Sequence, residues 1–115
     1  MILFLAAAAA VAASPSPGSA DFDIRCMLVA NQVIEKVDAP TKAKVGPLAM
    51  YYFGRVDSRL SGNELQQRVG TIARSMLGQQ LKPLLTQCGE FMSQRAGVMQ
   101  RTGQAITSQI RRSVK

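Results

Sequence analysis

Apolar residues recur at helical spacing along most of the chain. From Asp23 to about Val37, residues Cys26, Ala30, Val33 and Val37 fall at i, i+4, i+7 and i+11, and Met27 and Ile34 widen that stripe. Asp38-Ala39-Pro40 ends this first helix, because the residue before a proline is pushed out of the right-handed helical region. A short basic stretch, 41–45, leads to Gly46-Pro47, where the proline suits a first helical position that needs no N–H. From there Leu48, Tyr52, Val56 and Leu60 step by four, with Ala49 and Phe53 alongside. Ser61-Gly62-Asn63-Glu64 has the form of a capping box, with Ser61 accepting from the third amide and Glu64 reaching back. It opens a third helix on Leu65, Val69, Ile72 and Met76, and Gly78 marks the end. Lys82-Pro83 restarts the chain, and Leu84, Leu85, Cys88, Phe91, Met92 and Met99 carry a fourth helix, weakened at Gly89 and Gly97. Ser, Thr, Gln and Gly dominate 102–113 with no acid, which predicts a frayed, flexible basic tail over 102–115. No segment alternates with β-branched enrichment, so no strand is predicted.

The amino-terminal segment has a different character. Residues 1–13 form an uncharged apolar run of 13, short of the roughly 20 that a membrane helix needs. Ser14-Pro15-Ser16-Pro17-Gly18-Ser19-Ala20 breaks any helix there and supplies small residues for a peptidase, the layout of a secretory signal peptide, though without a basic start. Val11-Ala12-Ala13 and Gly18-Ser19-Ala20 both fit the cleavage rule. The second is preferred, because it leaves Asp21 at the start of a mature chain of 95 residues. The expected organisation is therefore a signal peptide over 1–20, a helical domain over 21–101 and the tail. The alternative is an uncleaved anchor, and the early proline-rich break argues against it.

Export changes the reading of the two cysteines. Cys26 and Cys88 lie 62 positions apart with no other cysteine in the chain, and an oxidising compartment favours one structural disulfide between them. A C-x-x-C redox pair is absent, and two distant thiols without histidine make a poor metal site. The expected fold is all-α, a small bundle of about four helices closed by one disulfide. It is expected in the periplasm or outside the cell, as a monomer or weak homodimer.

Composition narrows the chemistry. With no histidine the chain lacks the commonest general base and metal ligand, and no Ser-His or Cys-His pair can exist. Asp57 and Glu64 are the only carboxylate pair of note and fall either side of the break at Ser61. No phosphate-binding glycine loop is present. Enzymatic activity, a cofactor and a metal are therefore not expected. Fourteen Lys and Arg against seven Asp and Glu give +7. Export argues against nucleic acid, which leaves an anionic membrane surface or envelope polymer as an electrostatic partner.

The densest unusual chemistry is Tyr51-Tyr52-Phe53-Gly54-Arg55-Val56-Asp57-Ser58-Arg59. Three consecutive aromatic residues on a helix cannot all face one core, so at least one lies near the surface. Tyr51, Arg55 and Arg59 step by four along one stripe and form the candidate partner-binding surface, opposite Ala49, Phe53, Val56 and Leu60. The structural alternative is helix packing, with Gly54 admitting a neighbouring helix and the arginines solvated or paired to Asp57 or Glu64.

An early and a late cysteine bracketing central helices, after a signal segment, resemble the small periplasmic acid-stress chaperones of the HdeA/HdeB kind and the Tai-type immunity proteins. The Tyr52-Phe53-Gly54-Arg55-Val56-Asp57 segment in the second helix is similar to an aromatic-glycine segment there. The resemblance implies binding rather than catalysis. It predicts an unidentified protein partner, with a stress chaperone as the first reading and an immunity or inhibitor protein acting on an envelope toxin or enzyme as the alternative.

Overall fold

The computed structural model describes residues 15–114; the expected signal segment lies outside the described residues over 1–14. Four helices follow in order: α1 (Ala20–Ile34), α2 (Ala39–Arg59), α3 (Gly62–Ser75) and α4 (Leu81–Val114). The described residues form no strand, and Cys26 and Cys88 are joined in a disulfide with their Cα atoms 5.6 Å apart. The fold is the all-α, disulfide-closed bundle that the apolar spacing predicts.

The local starts and stops explain where the boundaries moved. Ser19 caps α1, its hydroxyl accepting from the Phe22 amide at 3.1 Å. Asp38 caps α2, its carboxylate accepting from the Thr41 amide at 3.0 Å, and Pro40 sits in the first turn. The first helix ends at Ile34, three residues before the expected Val37, so the stretch read as its stop is instead the start of the second. Pro47 lies inside α2 instead of opening it. Its missing N–H removes one ladder bond, and burial of Val45, Leu48 and Ala49 around it holds the helix across the gap. The expected capping box is not made. Gly62 takes a left-handed φ of +59° directly after Ser61, whose side chain makes no cap bond. Glu64 turns instead to Arg68, 3.6 Å away. Gly78, also left-handed at φ +79°, follows the end of α3 as expected.

Helix α1 is the central element and packs against all three others, while α2 also meets α4. It feeds two apolar clusters. Phe22, Cys26 and Ala30 pack with Val45, Leu48, Tyr52 and Cys88. Ile24 and Val29 pack with Val56, Leu60, Ile72, Met76 and Leu84. A helix that fills two clusters is buried on two faces, so its single predicted stripe was too narrow.

Helix α4 outruns the bundle. Its 34 residues span about 51 Å at the standard rise. From Ser93 to Ser113 every residue except Gly97 is exposed. The radius of gyration, 18.2 Å, exceeds the roughly 13 Å of a compact chain of this size. Residues 102–114 thus continue a helix where a frayed tail was expected, and Met99, the last apolar residue of the fourth helix's predicted series, lies 64% exposed.

Candidate functional site

Two regions carry the unusual chemistry: a charge cluster around the buried Asp23 at the start of α1 and the far half of α4. The cluster is built on Asp21 and Asp23, two acids in the first turn of α1, where the helix dipole favours negative charge. Each receives arginine from another helix. Arg68 of α3 donates Nε and Nη2 to Asp21 Oδ1 at 3.0 and 2.7 Å. Asp23 is fully buried and takes two arginines from α2, Arg55 Nε on Oδ1 at 3.0 Å and Arg59 Nη1 on Oδ2 at 2.9 Å. Both arginines also donate to the Gly18 carbonyl, at 3.4 and 2.9 Å.

The stripe Tyr51, Arg55 and Arg59 is therefore brought together as predicted by its spacing, and its donors are used inside the chain. The arginines pair with Asp23, not with Asp57 or Glu64. Arg55 lies between two rings, its guanidinium carbon 5.7 Å from the Tyr51 centroid and 5.1 Å from that of Phe91. Burial opposes the charge on Arg55, but the hydrogen bond and charge of Asp23 outweigh it and raise its pKa. The opposite stripe needs one correction: Ala49, Val56 and Leu60 are buried, but Phe53 is exposed and Tyr52 takes its place in the core. Gly54 admits no helix, since nothing lies within 4 Å of where its Cβ would stand.

Behind the arginines an aromatic group surrounds the disulfide. Phe22 meets Tyr52 and Phe91 edge-on, with centroids 6.2 and 5.4 Å apart, and Tyr51 meets Tyr52 at 5.0 Å. Tyr52 donates its hydroxyl to the Cys88 carbonyl at 2.7 Å. Burial, then the neighbouring Tyr51 and Asp23, push that phenol well above its usual range, against the pull of Arg55. It stays protonated and donating. Cys26 and Cys88, predicted as the disulfide, thus sit in the same packed wall as the charge cluster.

Asp23 was not visible to sequence reasoning. An acid two residues after another in a first turn looks like an ordinary dipole partner, and its arginines lie 32 and 36 residues away.

The second region follows a different plan. On the exposed half of α4, Met99, Ile106 and Ile110 are spaced seven and four apart and share one face. Ala96 and Gly103 fall near that face and leave it low, Arg95 borders it one turn before Met99, Arg111 lies on its flank, and Arg101 and Arg112 lie on the opposite side. Ile106 and Ile110 are 50% and 57% exposed, so this apolar face has no partner among the described residues.

Among the described residues no group of three or more His, Cys, Asp or Glu is placed to hold a metal, and no helix is long and apolar enough to cross a membrane. No protein-family model matches the chain, and comparison with curated proteins and with solved structures gives no match.

Proposed function

We propose that this is an exported, non-enzymatic interaction protein that holds other proteins through the far half of α4, with stress chaperoning as its specific role. The observation that carries the reading is the unpartnered stripe Met99, Ile106 and Ile110 on a helix that leaves the bundle. A surface stripe of large apolar side chains is a liability unless it is used; its one methionine, Met99, adapts to varied apolar clients, and its two isoleucines, Ile106 and Ile110, add apolar area. The disulfide, in keeping with export, fixes the base of that rod to α1. An acid-gated chaperone uncovers its surface by protonating carboxylates. Here the stripe is already exposed and the chain has only seven acids, so holding needs no acid trigger.

The test is client aggregation followed by light scattering from pH 2 to 7, comparing the natural protein with the triple variant Met99→Ser, Ile106→Ser and Ile110→Ser. Suppression at pH 7 that the triple variant loses supports the reading; no suppression at any pH rejects it. The basic face of α4 favours a second reading, an immunity or inhibitor protein for an acidic envelope target. A single tight 1:1 partner without client suppression would select that one.

A further inference from the structure

We propose that the cleft beside Arg25 binds a small organic carboxylate whose apolar body lies against Phe22, Leu84 and Phe91. The inference stands apart from the client-holding face of α4. It begins from a cation that the chain leaves without a counter-charge. Arg25, in the middle of α1, is only 8% exposed, and its Nε is buried with no hydrogen-bond partner. Its Nη2 donates to the Gln87 amide oxygen at 3.1 Å, and its guanidinium stands 5.9 Å from the Phe22 ring centroid.

Contrast this with the other arginines packed on α1. Arg55 and Arg59 share Asp23, and Arg68 holds Asp21 and Glu64. No acid pairs with Arg25 among the described residues, and the segment before Pro15 contains none. Burial alone acts on its charge and lowers its pKa. A guanidinium taken out of water without a carboxylate is costly to keep, and an anion from outside would offset that cost.

Space for one exists at the same place. Arg25 lines a cleft of about 450 Å³ with Phe22, Leu84, Glu90 and Phe91, and Pro15 and Pro17 also line it. That volume suits a small molecule, since ligand sites commonly run from about 300 to 1,000 Å³. The lining sets the ligand class. Phe22, Leu84 and Phe91 give an apolar wall, and Arg25 gives a planar fork that matches a carboxylate. Glu90 on the rim repels further negative charge, which favours a monoanion over a phosphate ester. An aryl or branched-alkyl monocarboxylate satisfies all three conditions.

Isothermal titration of the purified, oxidised full chain, which keeps Pro15 and Pro17 on the cleft, tests this at pH 7 with phenylacetate as probe and acetate, benzyl alcohol and inorganic phosphate as controls. Phenylacetate should bind one to one and at least about ten times more tightly than each control, the effect of combining one charged hydrogen-bonded pair with one apolar wall. Arg25→Gln should weaken it by about tenfold or more. Glu90→Gln, at an exposed position that the fold does not need, should tighten it. Benzyl alcohol binding as well as phenylacetate, phosphate binding better, or a Glu90→Gln protein with unchanged or weaker affinity would each overturn the proposal.

Discussion

The two ends of α4 belong to the same helix and have opposite surroundings. Its first three turns lie against α1 and α2, where Leu84, Cys88 and Phe91 meet the disulfide, the aromatic group and the clamp of Arg55 on Asp23. From Ser93 onward the same helix faces water, with an apolar stripe on one side and Arg101 and Arg112 on the other. The difference teaches that the chain concentrates its stabilising contacts in one half. A bundle of this size has a stability of only about 5–10 kcal/mol, so a projecting rod needs a rigid base. The stripe singled out in the sequence, Tyr51, Arg55 and Arg59, belongs to that base, and the proposed working surface is the rod.

That contrast can be broken most severely at the disulfide. Replacing both Cys26 and Cys88 by Ala opens a loop of 62 residues, which by chain entropy destabilises the native state by about 4 kcal/mol. Urea unfolding should show the loss, and a midpoint unchanged by the double substitution would deny the base its main staple. Next comes the clamp. Arg55→Ala with Arg59→Ala strands a fully buried Asp23 carboxylate and should lower stability by about 3 kcal/mol. Asp23→Asn in that background should restore part of it, because the stranded charge is then gone. A double variant as stable as the natural protein would show that Asp23 does not need its arginines.

A smaller effect is expected at the amino-terminal edge of the base. Cleavage after Ala20 would remove the Ser19 cap and the Gly18 carbonyl that both arginines use. A protein beginning at Asp21 should therefore be about 2 kcal/mol less stable than one beginning at Pro15. Intact mass of the protein isolated from cells shows which form is kept.

These effects also mark what was legible in the sequence. Four helices, the i+4 series Leu48, Tyr52, Val56 and Leu60, and the disulfide follow from spacing and cysteine count, since helical period is written locally and two cysteines allow only one pairing within the chain. Pro47 misled because helix propensity is weaker than the burial of Val45, Leu48 and Ala49 around it. Ser61 misled because a capping box needs a helical residue next, and Gly62 is left-handed. The Asp23 cluster and the orphaned Nε of Arg25 were out of reach, since polar partners 30 residues apart leave no periodic trace. The far half of α4 was misjudged for the reverse reason: the Ser, Thr, Gln and Gly composition of 102–113 suggested a frayed tail, yet the helix runs on through these weak formers to Val114.

The smallest effect concerns pH and the start of α2. Asp38 accepts hydrogen bonds from Thr41, which hold its carboxyl below the usual aspartate range. A depressed carboxyl contributes stability above the pKa of the unfolded chain and loses it as pH falls through the folded value. Asp38→Ala should lower the melting temperature slightly at pH 7 and leave it unchanged at pH 2, where both chains lack the charge. An equal deficit at the two pH values would assign the effect to something other than the cap.

The most direct measurement is on a chain ended after Gln94, which keeps the disulfide, the aromatic group and the charge clamp and removes the exposed rod. Thermal unfolding by circular dichroism and client aggregation at pH 7 are followed on the same sample. The predicted result is a melting temperature within a few degrees of the full protein together with complete loss of client holding. A shortened chain that suppresses aggregation as well as the full one would contradict the division of the molecule into base and working rod.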